Sequence, residues 1–181
     1  MIIRDEKLLR LPCEDVLPGE VGELVELLER ELAQSARLGA PGIGLAAAQI
    51  NIQKKIAIVR LSNTKFNLIN AKIEKGYDEA IFEEEGCLSF PNRLENTLRF
   101  QEVHVINNLD TPHGFIATGL VAVAVQHELD HLNQTLFMDR AVPKPVQVFN
   151  MKKVGPNEPC PCGIVDPLTN KVKKFKKCHA K

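Results

Sequence analysis

Tryptophan is absent from this chain and tyrosine occurs once, yet 44% of its 181 residues are hydrophobic. That ordinary apolar content excludes a disordered or fibrous chain and suits one domain with a real core plus a short appendage. No apolar run reaches the roughly 20 residues that cross a bilayer. The opening segment, MIIRDEKLLRLPCEDV, has neither the apolar stretch of a secretory signal nor the Arg/Ser-rich, acid-poor composition of a transit peptide. A cytoplasmic protein with no membrane association is expected. Internal repeats are also missing. Cysteine is too unevenly placed for a secreted disulfide framework: the five stand at 13, 87, 160, 162 and 178, an odd number with three crowded near the end. In a reducing compartment, crowded cysteines beside a histidine point to metal.

Net charge is absent as well, but the zero conceals an asymmetry. Residues 1–150 hold 15 Lys/Arg against 21 Asp/Glu, and residues 151–181 hold eight lysines against Glu158 and Asp166. An acidic domain with a basic tail reads two ways: the tail meets nucleic acid or another anionic surface, or it is a solvated end.

Between Pro18 and Leu38 the apolar residues Val21, Leu24, Val25, Leu28, Leu32 and Ala36 recur at three- and four-residue spacing with glutamates between them, which predicts an amphipathic helix. Gly39-Ala40-Pro41-Gly42-Ile43-Gly44 ends it and begins a loop. Strand-like runs follow at 55–61, 66–69, 80–82 and 102–107. From about Thr118 the run GLVAVAVQHELDHLNQ is apolar nearly all round, the mark of a helix buried in the middle of a fold. This order is α+β: short, mostly antiparallel strands around a buried central helix, with an N-terminal amphipathic helix and a small basic tail. The boundaries expected are a catalytic domain over 1–142, a proline-bearing linker over 143–154 and a tail over 155–181.

His127-Glu128-Leu129-Asp130-His131 is an HExxH motif. On a helix, positions i and i+4 share a face, so both imidazoles can hold one metal ion while Glu128 serves as general base toward the same site. The apolar run before it argues against two solvated surface histidines, because buried, unpaired His and Glu are costly. A third protein ligand is needed, from a distant His, Glu or Cys. Downstream there is only His179. Upstream, Cys87 lies in Glu85-Gly86-Cys87-Leu88-Ser89, although a lone cysteine is more often a small buried hydrophobe. On the residues alone, a small HExxH peptidase and a metal-holding binding protein without turnover also stand.

Taken together, Gly42-Ile43-Gly44-Leu45-Ala46-Ala47-Ala48-Gln49, Glu85-Gly86-Cys87-Leu88-Ser89 and Gln126-His127-Glu128-Leu129-Asp130-His131-Leu132 resemble, in order and at ordinary spacing, the three signature motifs of peptide deformylases. The resemblance covers about the first 140 to 150 residues. It implies a metallohydrolase that removes the formyl group from the N-terminal formyl-methionine of nascent proteins, releasing formate. Cys87, His127 and His131 would hold one divalent ion, Fe2+ in cells with Ni2+ or Zn2+ tolerated, and a water in the open position would be activated by Glu128. The oxyanion would be held by the metal, the Gln49 amide and the Leu88 backbone N–H. Asp130 and Arg99 are expected to support the ligands through an outer hydrogen-bond layer. Ile43, Gly44, Leu120 and Val123 are candidates for the methionine pocket, Val123 lying one turn before His127. Gly42 and Gly44 suit a loop whose backbone approaches a peptide closely. A monomer acting on formyl-methionyl nascent peptides is expected. Departures from the family pattern are Asn70-Ala71, Asn133-Gln134, and Glu83 where relatives place an apolar pocket wall.

The tail carries Cys160-Pro161-Cys162-Gly163 and, after the lysine-rich 171–177, Cys178-His179. Three thiols and an imidazole suit closed, structural Zn2+, and the pattern resembles the SEC-C zinc motif with a lengthened gap. Metal would supply the folding energy that so short a tail cannot take from a core. The lysines would then form a positive surface able to dock on the ribosome, where phosphate dominates.

Overall fold

The computed structural model describes residues 1–108 and 113–143, together with positions 157, 165–166, 171–172 and 174. The chain divides into two units, Met1–Val142 and Pro143–Lys181. In the second, the described residues include an antiparallel pairing of Val165–Asp166 with Lys171–Val172. The four tail residues Cys160, Cys162, Cys178 and His179, and nearly all of the expected linker, lie outside the described residues.

The first unit begins with a short helix α1 (Glu6–Leu9), whose N-cap Asp5 side chain accepts from the Lys7 N–H. A 3-10 turn, Pro18–Glu20, leads into α2 (Val21–Arg37), and the Glu20 carboxylate accepts from Leu17 N at 2.8 Å to close that turn. The predicted apolar stripe is buried at Leu28 and Leu32 and half-buried at Val21, Leu24 and Val25, whereas Ala36 is exposed and Ser35 turns inward beside it. Gly39, at φ 86, ends α2 in the left-handed conformation that glycine adopts at least cost.

Two antiparallel sheets follow. In the first, β1 (Gly44–Ala46), β2 (Ile56–Leu61) and β3 (Thr64–Ile69) lie in that order. The second holds β4 (Lys72–Cys87), β5 (Phe90–Asn107) and β6 (His113–Thr118). β6 runs directly into α3 (Gly119–Leu132), and a 3-10 turn, Phe137–Arg140, comes after it.

β2 shows how the layers form. Successive side chains leave a strand on opposite faces. Ala57 and Val59 join a core with Val125 and Leu129 of α3, whereas Ile56 and Ile58 join a second core with Leu28 and Leu32 of α2. The first sheet is thus covered on both faces, and α3 is packed also against Val103 and Val105 of β5 and Ala117 of β6. Each fully buried Leu or Ile here contributes about 1.5–3 kcal/mol relative to exposure. Phe66 and Phe115 stack with centroids 4.1 Å apart and tie the two sheets.

Three expectations need correction. β4 and β5 are not short: they span 16 and 18 residues. Most of their charged residues point to water, Glu85 and Arg99 being buried exceptions. The ladder is held by backbone hydrogen bonds that need no apolar pattern, and register shifts at Ile73/Lys75, Phe82/Glu85 and Gly86/Cys87 break the alternation that would reveal them. The loop expected after Gly39 gives way to β1 at Gly44. A strand, β6, precedes α3 where none was expected.

Candidate metal centre and active site

α3 carries the HELDH pentapeptide at its C-terminal end, with every residue from Ala122 to Leu132 buried. The apolar run before the motif sits between the two sheets and so places the motif inside the fold. His127 and His131, one turn apart, have ring centroids separated by 5.0 Å. Cys87, the last residue of β4, comes to the same place, with Sγ 3.3 Å from His131 Nε2. One candidate ligand atom from each of Cys87, His127 and His131 lies within 4.8 Å of the others. Sulfur and nitrogen ligands on one tetrahedral ion, at bonds of about 2.3 and 2.1 Å, stand roughly 3.6 Å apart. The donor set and its spacing fit a metal ion.

The surroundings fit as well. Glu85 accepts from Arg99 Nε at 2.8 Å and Nη2 at 2.7 Å, and from the Thr97 hydroxyl, and its Oε1 is 2.6 Å from His127 Nδ1. Burial pushes this carboxyl up, but the hydrogen bonds from His127 and Arg99 outweigh that and hold it at about 2. A carboxylate only accepts, so Nδ1 of His127 carries the proton and Nε2 is left to bind. Burial pulls His127 down, yet its bonds to Cys87 and Glu85 carry it well above the usual histidine range. His131 is held well below that range, by burial first and then by the positive charge of His127. A thiol and two imidazoles brought together in the interior are a donor set whose buried polar atoms a divalent ion would satisfy.

Glu128 is buried, and its Oε2 has no hydrogen-bond partner among the described residues. Burial raises this carboxyl to about 7, with the charge of Glu85 adding to the shift against the opposing effect of His127. Gly44 explains how Glu128 fits: a Cβ there would overlap Oε1 and stand 2.9 Å from Cδ. A Cβ on Gly42 would stand 2.6 Å from Leu88 Cδ1. A larger residue at either position would have to displace Leu88 or Glu128, so both glycines first make room for side chains of the protein itself. Gln49 is fixed by its own oxygen, which accepts from Ala46 N at 2.9 Å, so its amide nitrogen faces Cys87 Sγ at 3.5 Å and Ser89 Oγ at 3.3 Å.

A cavity of about 250 Å³ opens on these groups. Gln49, Cys87, His127 and Glu128 form its polar end, and Ile43, Phe82, Leu120, Val123 and Ala124 contribute its apolar wall, with Leu88 and Gly44 also lining it. Glu83 is not in that wall. The bulge between Phe82 and Glu85 turns it outward, and Phe82 supplies the apolar surface instead. Asp130 does not face the cavity; it accepts from Arg99 Nη1 at 2.6 Å and from Arg140 Nη2 at 2.9 Å. Sequence reasoning named Arg99 and Asp130 but missed Glu85. The signal was available, because residues two apart on a strand point the same way, and Glu85 precedes Cys87 by two.

The family model for polypeptide deformylase matches residues 2–146. The chain belongs to the polypeptide deformylase family. Among deformylase relatives, peptide deformylase 1 of Pseudomonas syringae pv. tomato is 45% identical over 105 residues, 55% of this chain and 62% of that protein, so the match spans less than two thirds of the relative. The peptide deformylase of Stutzerimonas stutzeri is 43% identical over 130 residues, 69% of this chain and 74% of the relative. Of solved deformylase structures, the one from Synechococcus elongatus in complex with actinonin superposes with a TM-score of 0.70 at 30% identity, covering 80% of each chain. The Thermotoga maritima deformylase gives 0.69 at 28%, covering 79% of this chain and 97% of that one. Among the described residues no helix is long and apolar enough to cross a membrane.

Proposed function

We propose that the chain is a metal-dependent peptide deformylase, which hydrolyses the N-terminal formyl amide of formyl-methionyl nascent peptides to formate and a free amine. The observation that carries this reading is the unpartnered Glu128 carboxylate, buried in the same cavity as Cys87 and His127, which cluster with His131 as candidate ligands. When bound by these three ligands, a divalent ion would acidify a water and polarise the formyl carbonyl. Glu128 would take a proton from the attacking water as its oxygen bonds to the formyl carbon and the carbonyl π pair moves onto the formyl oxygen. As the C–N bond breaks, Glu128 delivers the proton to the departing nitrogen. A carboxyl raised to about 7 by burial is suited to both transfers. The Gln49 amide and the Leu88 backbone N–H hold the developing oxyanion. The methionine side chain lies against Ile43, Val123, Leu120 and Phe82, with its backbone along Gly44. The native ion is Fe2+, with Ni2+ or Zn2+ able to replace it, and the enzyme works as a cytoplasmic monomer.

Glu128→Gln separates chemistry from binding. It should keep its metal and lose turnover of a formyl-Met peptide by about 10²–10⁴-fold; near-normal turnover would defeat the assignment.

The tail reading is supported by residue type and spacing alone. Cys160, Cys162, Cys178 and His179 hold a structural Zn2+, and the lysines around them dock on the ribosome. Metal analysis after anaerobic purification should find two ions in the full chain and one in residues 1–150. Removing 151–181 should weaken salt-sensitive ribosome association and spare activity on a short formyl-Met peptide. Unchanged association would end the docking idea.

A further inference from the structure

Past α3 the chain makes one more turn over the site before the first unit ends. Phe137, buried in that 3-10 turn, stands with its ring centroid 6.0 Å from that of His127. Arg140, at the end of the turn, donates from Nη2 to Asp130 Oδ1 at 2.9 Å and from Nε to Oδ2 at 3.3 Å. Asp130 in turn accepts from Arg99 Nη1, and Arg99 grips Glu85 with its other two nitrogens, at 2.8 and 2.7 Å. Glu85 holds Nδ1 of His127. The next two residues are tied down beside the same groups: Ala141 forms an antiparallel bridge with Thr97, and Val142 N donates to Asn96 O at 2.7 Å. Thr97 is the residue whose hydroxyl reaches Glu85.

We propose that Arg140 is a positioning residue for the metal ligand His127, acting through Asp130, Arg99 and Glu85, and that the Ala141–Val142 segment clamps it in place. The physical argument rests on competition for one guanidinium. Arg99 is almost fully buried and divides its nitrogens between two carboxylates, two to Glu85 and one to Asp130. Asp130 Oδ1 has Arg140 as its partner. Without Arg140, that buried oxygen loses its bond and can recover one only by drawing Arg99 toward a two-pronged grip, because an unpaired buried charge is costly. Arg99 then loosens its hold on Glu85, and the ring of His127 loses the acceptor that fixes its tautomer and direction. Arg140 itself is half-exposed, so it can be altered without opening a cavity in the core.

This inference rests on the metal site proposed above, and the experiment tells the two apart. Full-length chain carrying Cys160→Ser, Cys162→Ser and Cys178→Ser, which removes the thiolates of the tail and serves as the unaltered reference below, is loaded with Co2+, and its release to excess chelator is followed by the thiolate and d–d absorption bands. If the unaltered chain takes up no Co2+, the metal centre itself is refuted. If it does, Arg140→Gln should release the ion about 10-fold faster, at the low end of the 10–100-fold change seen when outer partners of metal ligands are altered, with shifted d–d bands. Arg140→Lys, which keeps the charge, should recover at least half of that loss on a logarithmic scale. Val142→Pro removes the N–H that reaches Asn96 and should speed release by a smaller factor. The melting temperature of each metal-free variant is the control, since a merely structural role would lower it as much as it speeds release. Release within twofold of the unaltered chain in Arg140→Gln, no recovery in the lysine variant, or a matching fall in metal-free stability would each overturn the proposal.

Discussion

α2 buries three side chains, Leu28, Leu32 and Ser35, and leaves its glutamates in water; α3 buries eleven in succession, from Ala122 to Leu132. The first helix is attached by apolar contact with polar ties only at its rim, where Glu29 accepts from Arg60 and Glu31 pairs with the N-terminal amine. The second takes Gln126, His127, Glu128, Asp130 and His131 inside, and each buried polar group must find a partner or serve a purpose. Gln126 is satisfied by the backbone of Phe100, donating to its O at 2.8 Å and accepting from its N at 3.0 Å. His127 and Asp130 are satisfied through Glu85, Arg99 and Arg140. Glu128 Oε2 and His131 Nδ1 are left without partners among the described residues, and both belong to the candidate active site. Stability is provided by a helix with few demands, and chemistry by one that needs a charged scaffold around it.

Breaking that scaffold should have the largest effect on folding. Arg99→Leu strands the carboxylates of Glu85 and Asp130 in the interior and is expected to destabilise the chain by about 3–5 kcal/mol, read from denaturant unfolding, with loss of bound metal. A fall below about 1 kcal/mol would mean that water reaches these groups. Leu28→Ala truncates the centre of the α2 interface and should cost about 2–5 kcal/mol. Deformylation rate per folded molecule should stay as it was; a lost rate would show that α2 does more than hold the first sheet. The smallest effect belongs to the surface pair that ties α1 to the turn after α3. Arg10 Nη1 donates to Asp139 Oδ2 at 2.7 Å, and this bond holds the Asp139 carboxyl below its ordinary value. A depressed carboxyl contributes stability above its unfolded value and loses it as pH falls through the folded one. Asp139→Asn should therefore lower stability at pH 6 by less than about 1 kcal/mol, given the exposure of both partners. The difference should vanish as the pH drops below 3.8, the ordinary value for this group. A gap that persists in acid would assign the effect to Asp139's bond with Leu136 N and not to its charge.

Periodicity made α2 and α3 legible, because a stripe at helical spacing and a continuous apolar run are both local signals. It failed on β4 and β5, since the outward face of β4 carries Glu74, Lys75, Glu79 and Glu83 and the register between the two strands is broken by bulges. A strand held mainly by its neighbour's backbone leaves little mark in side-chain pattern. At the site, spacing could place His127 and His131 on one helix face and Glu128 between them. The wall of the cavity was legible in Ile43 and Val123, but not in Phe82, since the bulge decides which of Phe82 and Glu83 turns inward.

By itself the sequence determined which residues bring chemistry to this protein, since thiol, imidazole, carboxylate and amide are fixed by residue type, and helical spacing fixes what lies within one turn. Only the tertiary structure decided who stands beside whom across 40 residues of chain. Cys87 meets His131 and Glu85 takes His127 Nδ1 because two bent strands and a buried helix are packed around a common core. Those distances are set by strand register and bulges, which backbone pairing controls and side-chain pattern does not record.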